Sequence, residues 1–307
     1  KVTLVDRKAS HLWKPLLHEV ATGSLDEGVD ALSYRAHAKN HHFDFQMGSL
    51  EDIDRERKVI KLRELKDDND ELLMPSRELE YDILVMAIGS TSNDFNTPGV
   101  RDNCIFLDSP EQAHRFRTQM NNEFLKLHAK NGNGTVDIAI VGAGGIGVDV
   151  ATMLTEPSSH SLDDWLHEWG IDKNMEHPGG LYPYPDAMSD KTVWVMQRKA
   201  GRVGKGPGKT TGWIHKRTLE KRGVNLMGGV SYEKIDDQGL HITVNKQPKV
   251  LDADSVVICA GQVSVRPFED MWQEFGGKLH VIGGADYAGE LDAVRAIRQG
   301  VELATKL

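Results

Sequence analysis

The sequence predicts an α/β fold in two domains, and three observations carry that prediction. A glycine-rich turn, VGAGGIGVDVA, follows an apolar strand and opens a helix, with Gly142, Gly144 and Gly147 in G-x-G-x-x-G spacing. A matched pair of strands, VMAIGS (85–90) and VVICAGQ (256–262), flanks it; each is apolar and closes on small residues and glycine. The chain also opens on KVTLVD, a short apolar run closed by an acid, as the second strand of a dinucleotide-binding βαβ unit closes. Together these predict two Rossmann-like dinucleotide-binding domains, the first lacking its N-terminal strand and glycine loop.

Taken in order, the opening strand leads into a helix or irregular cover over 24–39, then a strand and turn in FDFQMGSLEDID (43–54). KVIKLREL (58–65) and RELEYDILVMAIG (77–89) flank the charged turn KDDNDE, which is hairpin patterning. Ile83 to Ile88 is nearly continuously apolar, as expected of a buried parallel strand. Residues 109–130 predict a helix with Ser109 as N-cap and Pro110 at its first position, and NGNG (131–134) a turn. After the glycine turn come a polar stretch (155–190), the strand KTVWVMQRK and a helix over 210–223 ending at Gly223. Further strands lie in VNLMGGVSYEKID, GLHITVNK and VLDADSVVICAG, and a strand, turn and helix close the chain. The domain expectation is 1–108 with 263–307, and 109–262.

Composition excludes several function classes. A net charge of −9 disfavours a nucleic-acid binder, since phosphate contacts need clustered cations. No run of apolar residues is long enough for a membrane span, and residues 1–10 do not read as a signal peptide. Cys104 and Cys259 are the two cysteines, far apart in sequence, with no C-x-x-C pair. That argues against a dithiol redox enzyme and for a reducing, cytoplasmic setting. No metal-ligand cluster is expected.

The three glycines of the motif act differently. The first makes the tight bend, the second admits the pyrophosphate, and the third lets helix and strand pack closely. With Gly145 they place phosphates at a helix N-terminus, where unpaired N–H groups and the dipole favour negative charge. The next strand ends Gln197-Arg198-Lys199, followed by Arg202, Lys205 and Lys209, where an NAD site places an acid. Cations there suit the 2′-phosphate of NADP; the alternative is a solvated basic loop. GPGKTT (206–211) is not a nucleoside-triphosphate loop, because the first glycine of that motif would fall on Val203.

Two family resemblances enter at these residues. Residues 1 to about 141 resemble type II NADH dehydrogenases, in LVDRKASHLWKPLLHEVATGSLDEGVDALSY, LVMAIGSTSNDFNTPGV and NCIFLDSPEQAHRF. From Gly142 onward the chain resembles the C-terminal part of bacterial 2,4-dienoyl-CoA reductases, in HEWGID, VMQRKAGRVGKGPGKTTGWIH, GVSYEKIDDQGLH, VVICAGQ and VIGGADYAGELDAVRAI. The resemblance implies FAD in the first domain, met by Asp6, Lys14, Ala87, Gly89, Gly284 and Asp286. Ala260 and Gly261 end the matching strand beside the cofactors. N-capping of the last helix is the alternative reading of Asp286. It implies NADPH in the second domain, with NADH as the alternative.

Asp149, two residues past Gly147, is the candidate catalytic residue, acting by orientation near the nicotinamide and flavin; the hydride chemistry belongs to the cofactors. His18 and Glu19 read as surface or packing residues. The implied activity is hydride transfer from NAD(P)H to flavin and on to a quinone or an enoyl-CoA-type acceptor, with peripheral membrane association as an option. The reductases' FMN barrel and iron–sulfur cluster are not expected here, since two cysteines cannot hold a four-cysteine cluster. The amphipathic C-terminal anchor of the dehydrogenases is not expected either. The second reading is a truncated or chimeric NADP-binding module, with an incomplete flavin site and no turnover.

Overall fold

The structure, a computed structural model, describes all residues except 130–133, 157–160, 184–188, 190, 204–209, 276–278 and 290. Most of the expected NGNG turn, Lys205, Lys209 and most of GPGKTT therefore lie outside the described residues. The chain divides into two compact units. One comprises Lys1–Trp13, Asp26–Thr91 and Gln262–Leu307; the other comprises Lys14–Leu25 and Ser92–Gly261.

The second unit is built on a five-stranded parallel sheet. Its spatial order is Cys104–Phe106, Ser255–Ile258, Val136–Val141, Lys191–Gln197, Asn225–Gly228. A parallel sheet covered on both faces needs apolar side chains on both, which is why these strands read as unbroken apolar runs. Ile138, Ala139 and Ile140 on the central strand are fully buried, and every residue of Ser255–Ile258 is buried as well. Helix Pro110–Ala129 begins where expected, with the Gln112 N–H donating to Ser109 Oγ at 3.3 Å. Helices Gly145–Leu154 and Gly212–Lys221 complete the crossovers. The short helix Leu17–Thr22 belongs to this unit and packs against both Pro110–Ala129 and Gly145–Leu154. A three-stranded antiparallel sheet, Val230–Asp236, Gly239–Val244 and Gln247–Leu251, adds its inner face to the same core.

The intervening polar stretch is tied down by a buried ion pair. Arg222 Nε lies 3.2 Å from Glu168 Oε1, with the two side chains 6% and 8% exposed, and Arg222 also donates to the Thr152 carbonyl. Lys221, buried beside it, donates to the Glu168 carbonyl and sits over the Trp169 ring. Desolvation lowers the Lys221 pKa, against the opposing pull of Glu168.

In the first unit the opening strand Thr3–Asp6 pairs in parallel with Asp44–Met47, and Leu84–Met86 pairs in parallel with Leu279–Val281. Strands Leu50–Asp54, Val59–Leu62 and Arg77–Glu80 form an antiparallel sheet, with a small hairpin, Leu65–Lys66 and Leu72–Met74, at the charged turn. Ile53, Ile60, Leu62 and Phe275 make its core. The expected 24–39 segment resolves into the short helix Glu27–Asp30 and the helix Tyr34–His41.

The expectation of a fully buried strand over 83–88 is corrected. The strand is only Leu84–Met86, and Ile83, Val85 and Ile88 are 43%, 38% and 47% exposed. Among the described residues its sole hydrogen-bonded neighbour is Leu279–Val281, so one edge is unpaired, and exposed Val85 beside buried Met86 marks one face without the cover that an apolar run of this kind anticipates.

Candidate functional site

The glycine turn sits at the C-terminal end of strand Val136–Val141, where open α/β sheets place their ligands. Gly142 has φ +118°, and a Cβ there would meet Ala260 Cβ and the Cys259 carbonyl at 2.6 Å, so only glycine fits. A Cβ on Gly147 would collide with the Gly142 carbonyl oxygen, which sets the close approach of helix to strand. Gly144 and Gly145 differ: an added Cβ would meet nothing within 4 Å at either. Gly144 is the N-cap of helix Gly145–Leu154 and provides no side-chain cap, so the first amides, which have no acceptor within the helix, are left uncapped beside that open space. A pyrophosphate fits this cradle: it brings the negative charge and acceptor oxygens that the helix terminus lacks.

Asp149 lies on the same helix with its side chain 45% exposed, and His18 Nε2 approaches its Oδ2 at 3.5 Å. His18, read from the sequence as a surface or packing residue, is 13% exposed at its side chain, and its Nδ1 is buried without a hydrogen-bond partner. Lys14 is held by an ion pair to Asp108 Oδ1 at 2.8 Å. Asp108 also accepts from the Ser92 N–H and hydroxyl. Burial pushes the Asp108 carboxyl up, but the Lys14 and Ser92 hydrogen bonds outweigh it, and the net pKa falls below the ordinary carboxylate value.

Arg198 and Lys199 follow strand Lys191–Gln197 and are exposed, with no carboxylate partner among the described residues. Arg198 Cζ stands 4.1 Å from the centroid of the Phe95 ring. Ala260 and Gly261 follow the neighbouring strand, and Gly261 has φ +70°. Both cysteines are free; burial pushes each thiol up to about 12, so neither is a thiolate at neutral pH.

In the first unit, Asp6 ends its strand as expected. Its carboxylate accepts from the Lys8 N–H at 2.8 Å and from the Tyr34 hydroxyl at 3.0 Å, and Tyr34 stacks on Phe45. Burial first, then Asp6, raises the Tyr34 pKa well above its ordinary value. Ala87 and Gly89 follow the exposed-faced strand; Gly89 has φ +91° and its carbonyl accepts from the Val265 N–H. Gly284 is buried against the Gly89 backbone. Asp286 accepts from Gln299 Nε2 at 2.7 Å, and its carbonyl accepts from Arg266. It does not cap the last helix: Asp292 does, accepting from the Arg295 N–H at 2.7 Å. That corrects the N-cap reading of Asp286. Asp6 and Asp286 retain acceptor capacity for ribose and ribityl hydroxyls. The N-terminus of helix Ala293–Ala304 carries the Asp292 carboxylate instead of an opening for phosphate, so it is Asp6 and Asp286 that would meet a flavin dinucleotide in this unit, at its hydroxyls.

Tyr34, Asp108 and Phe95 carried no sequence signal. Each becomes visible through a partner distant in the chain: Asp6, Lys14 and Arg198 respectively. No group of three or more metal-ligating side chains occurs among the described residues. No helix among them is long and apolar enough to cross a membrane.

A parallel sheet with a glycine turn at its carboxyl edge, in one chain with the parallel strand pairs of the first unit, defines a Rossmann-like nucleotide-binding fold. The family described as pyridine nucleotide-disulphide oxidoreductase matches residues 1–281, and the chain belongs to it. Type II NADH:quinone oxidoreductase of Haemophilus influenzae is 48% identical over 188 residues, covering 56% of this chain and 41% of that protein. The external alternative NAD(P)H-ubiquinone oxidoreductase B1 of Solanum tuberosum mitochondria is 24% identical over 296 residues, 93% of this chain and 48% of that one. The chain thus spans less than half the length of either relative. NDH2 of Plasmodium falciparum, solved in complex with RYL-552, superposes with a TM-score of 0.69 at 16% identity over 93% of this chain and 59% of that one, a likeness of fold.

Proposed function

We propose that this chain carries the nucleotide-binding machinery of a type II NADH:quinone-oxidoreductase-like enzyme, taking hydride from NAD(P)H to FAD and passing electrons to a quinone. The observation that carries this reading is the open cradle at Gly144 and Gly145 in a chain of this family. The bound nicotinamide and flavin would supply the hydride and electron chemistry between them. Within the second unit, the amides opening helix Gly145–Leu154 bind the pyrophosphate, and Arg198 with Lys199 meets the 2′-phosphate of NADPH. Asp149, backed by His18, orients the nicotinamide end. Lys14, tied to Asp108, serves as a strut for its own segment. In the first unit, Asp6 and Asp286 hold hydroxyls of the flavin dinucleotide. The cysteines take no part, since both are half-buried thiols held neutral at pH 7.

The quinone acceptor is favoured because a relative named for ubiquinone aligns over 93% of the chain, past Gly142. The enoyl-CoA-type acceptor rests on the resemblance of residues 142–307 alone. A quinone acceptor also favours peripheral membrane association over a purely cytoplasmic setting. The test is anaerobic titration of FAD-reconstituted protein with NADPH and NADH. Bleaching of flavin absorbance, with NADPH the more effective, is expected. A protein that takes up no FAD refutes the oxidoreductase reading; saturable NADPH binding without bleaching identifies a binding module instead.

A further inference from the structure

Phe95 lies in the second unit in a conformation that its chemistry does not favour. Its φ is +55°, and that of Asn96 is +53°. A bulky aromatic residue is a genuine outlier in the left-handed region, and such strain persists only where the surroundings impose it. Here they do. The Phe95 N–H donates to Asn93 Oδ1 at 2.7 Å, the Asn96 N–H donates to Asp94 Oδ1 at 3.0 Å, and the Asn93 N–H donates to the Gly261 carbonyl at 3.3 Å. Asp94 is in turn paired with Arg101.

The clamp holds the ring in one place. Its tip covers Gly261, where a Cβ would approach Phe95 Cζ to 2.5 Å, so the glycine makes room for the ring. Arg198 Cζ stacks 4.1 Å from the ring centroid. The ring thus bridges residues that follow strands Ser255–Ile258 and Lys191–Gln197, the two neighbours of the strand bearing the glycine turn. A stacked guanidinium uses its flat face on the ring and keeps its rim of N–H donors free for a planar, bidentate acceptor. A free arginine side chain would lose much rotamer freedom on gripping a phosphate; a stacked one has lost part of it already.

We propose that Phe95 is a positioning residue for dinucleotide choice, seating the Arg198 guanidinium for the 2′-phosphate of NADP(H). The proposal rests on the reading of Arg198 as the 2′-phosphate contact, and the experiment separates the two. Calorimetric titration of the full chain with 2′-phospho-ADP-ribose and with ADP-ribose measures discrimination without flavin or turnover. The unsubstituted chain is expected to prefer the phosphorylated ligand. F95L keeps the Cβ and apolar bulk but removes the π face; it should lower that preference about two- to fivefold, leaving ADP-ribose affinity unchanged. F95Y keeps the face and should keep the preference, and it serves as the readout if F95L melts early. R198A should lower the preference about tenfold or more, with F95L adding nothing in the double variant.

If R198A leaves the preference intact, or neither ligand binds, the Arg198 reading falls and the proposal with it. If R198A acts but F95L does not, the Phe95 proposal alone falls. It also falls if F95L weakens both ligands equally or if F95Y loses the preference, because either marks a merely structural ring.

Discussion

Two glycines three residues apart in one turn should fail in opposite ways when each becomes alanine. Gly147→Ala places a methyl on the Gly142 carbonyl oxygen, and Gly142 yields little because its backbone holds a φ of +118° and its N–H donates to the Met196 carbonyl at 2.8 Å. The helix must then move off the sheet, an overpacking cost of about 1–3 kcal/mol. In a domain of this size that lowers the melting temperature by about 2–4 °C per kcal/mol. Gly144→Ala meets nothing within 4 Å, at an ordinary φ of −79°. Its stability cost is limited to the poorer N-cap, about 0.5–1 kcal/mol. The methyl does project into the cradle, so dinucleotide affinity should fall about tenfold or more, roughly 1.4 kcal/mol. Differential scanning calorimetry and calorimetric NADPH titration on the two variants make the comparison. Unchanged NADPH affinity in Gly144→Ala would refute the cradle, and a wild-type melting temperature in Gly147→Ala would refute the close-packing argument.

Three further outcomes follow from the same geometry. Arg222→Ala removes one of the two cations beside buried Glu168, Lys221 being the other, and urea denaturation should show a loss of about 1.5–3 kcal/mol, the range for a hydrogen bond to a charged group. Asp108 has a pKa depressed in the folded state, so its contribution is complete above the unfolded carboxylate value of about 3.9 and is lost as pH falls through the lower folded value. Below about pH 4 the wild-type urea midpoint should therefore fall more steeply than that of Asp108→Asn; parallel curves would remove the role given to the Lys14 pair. Iodoacetamide at pH 8 should leave Cys104 and Cys259 unmodified until the chain is denatured, as read by mass spectrometry, because burial holds both thiols up at about 12.

Local physics made much of the second unit legible in the sequence. The run 136–141, the glycine spacing and the run 255–258 each dictate their own structure through steric and burial rules that act within a few residues. So did the strand-ending acid at Asp6 and the Ser109-Pro110 helix start. The same reasoning overreached at 83–88, because an apolar run states what a strand can bury and not which neighbours cover it. It also left Asp286 open as an N-cap, where Asp292, six positions further on, takes that place.

The sequence by itself thus determined the strand–turn–helix that can receive a dinucleotide and the cations that follow the next strand, since both depend on residue type at fixed spacing. Only the tertiary structure decided how those cations and acids are held: Arg198 on the ring of Phe95, Lys14 on Asp108, Asp149 facing His18, Asp6 bound to Tyr34. Each of those pairs joins residues from different segments of the chain. Their distances follow from how sheets and helices pack, a property of the whole fold that no local pattern encodes.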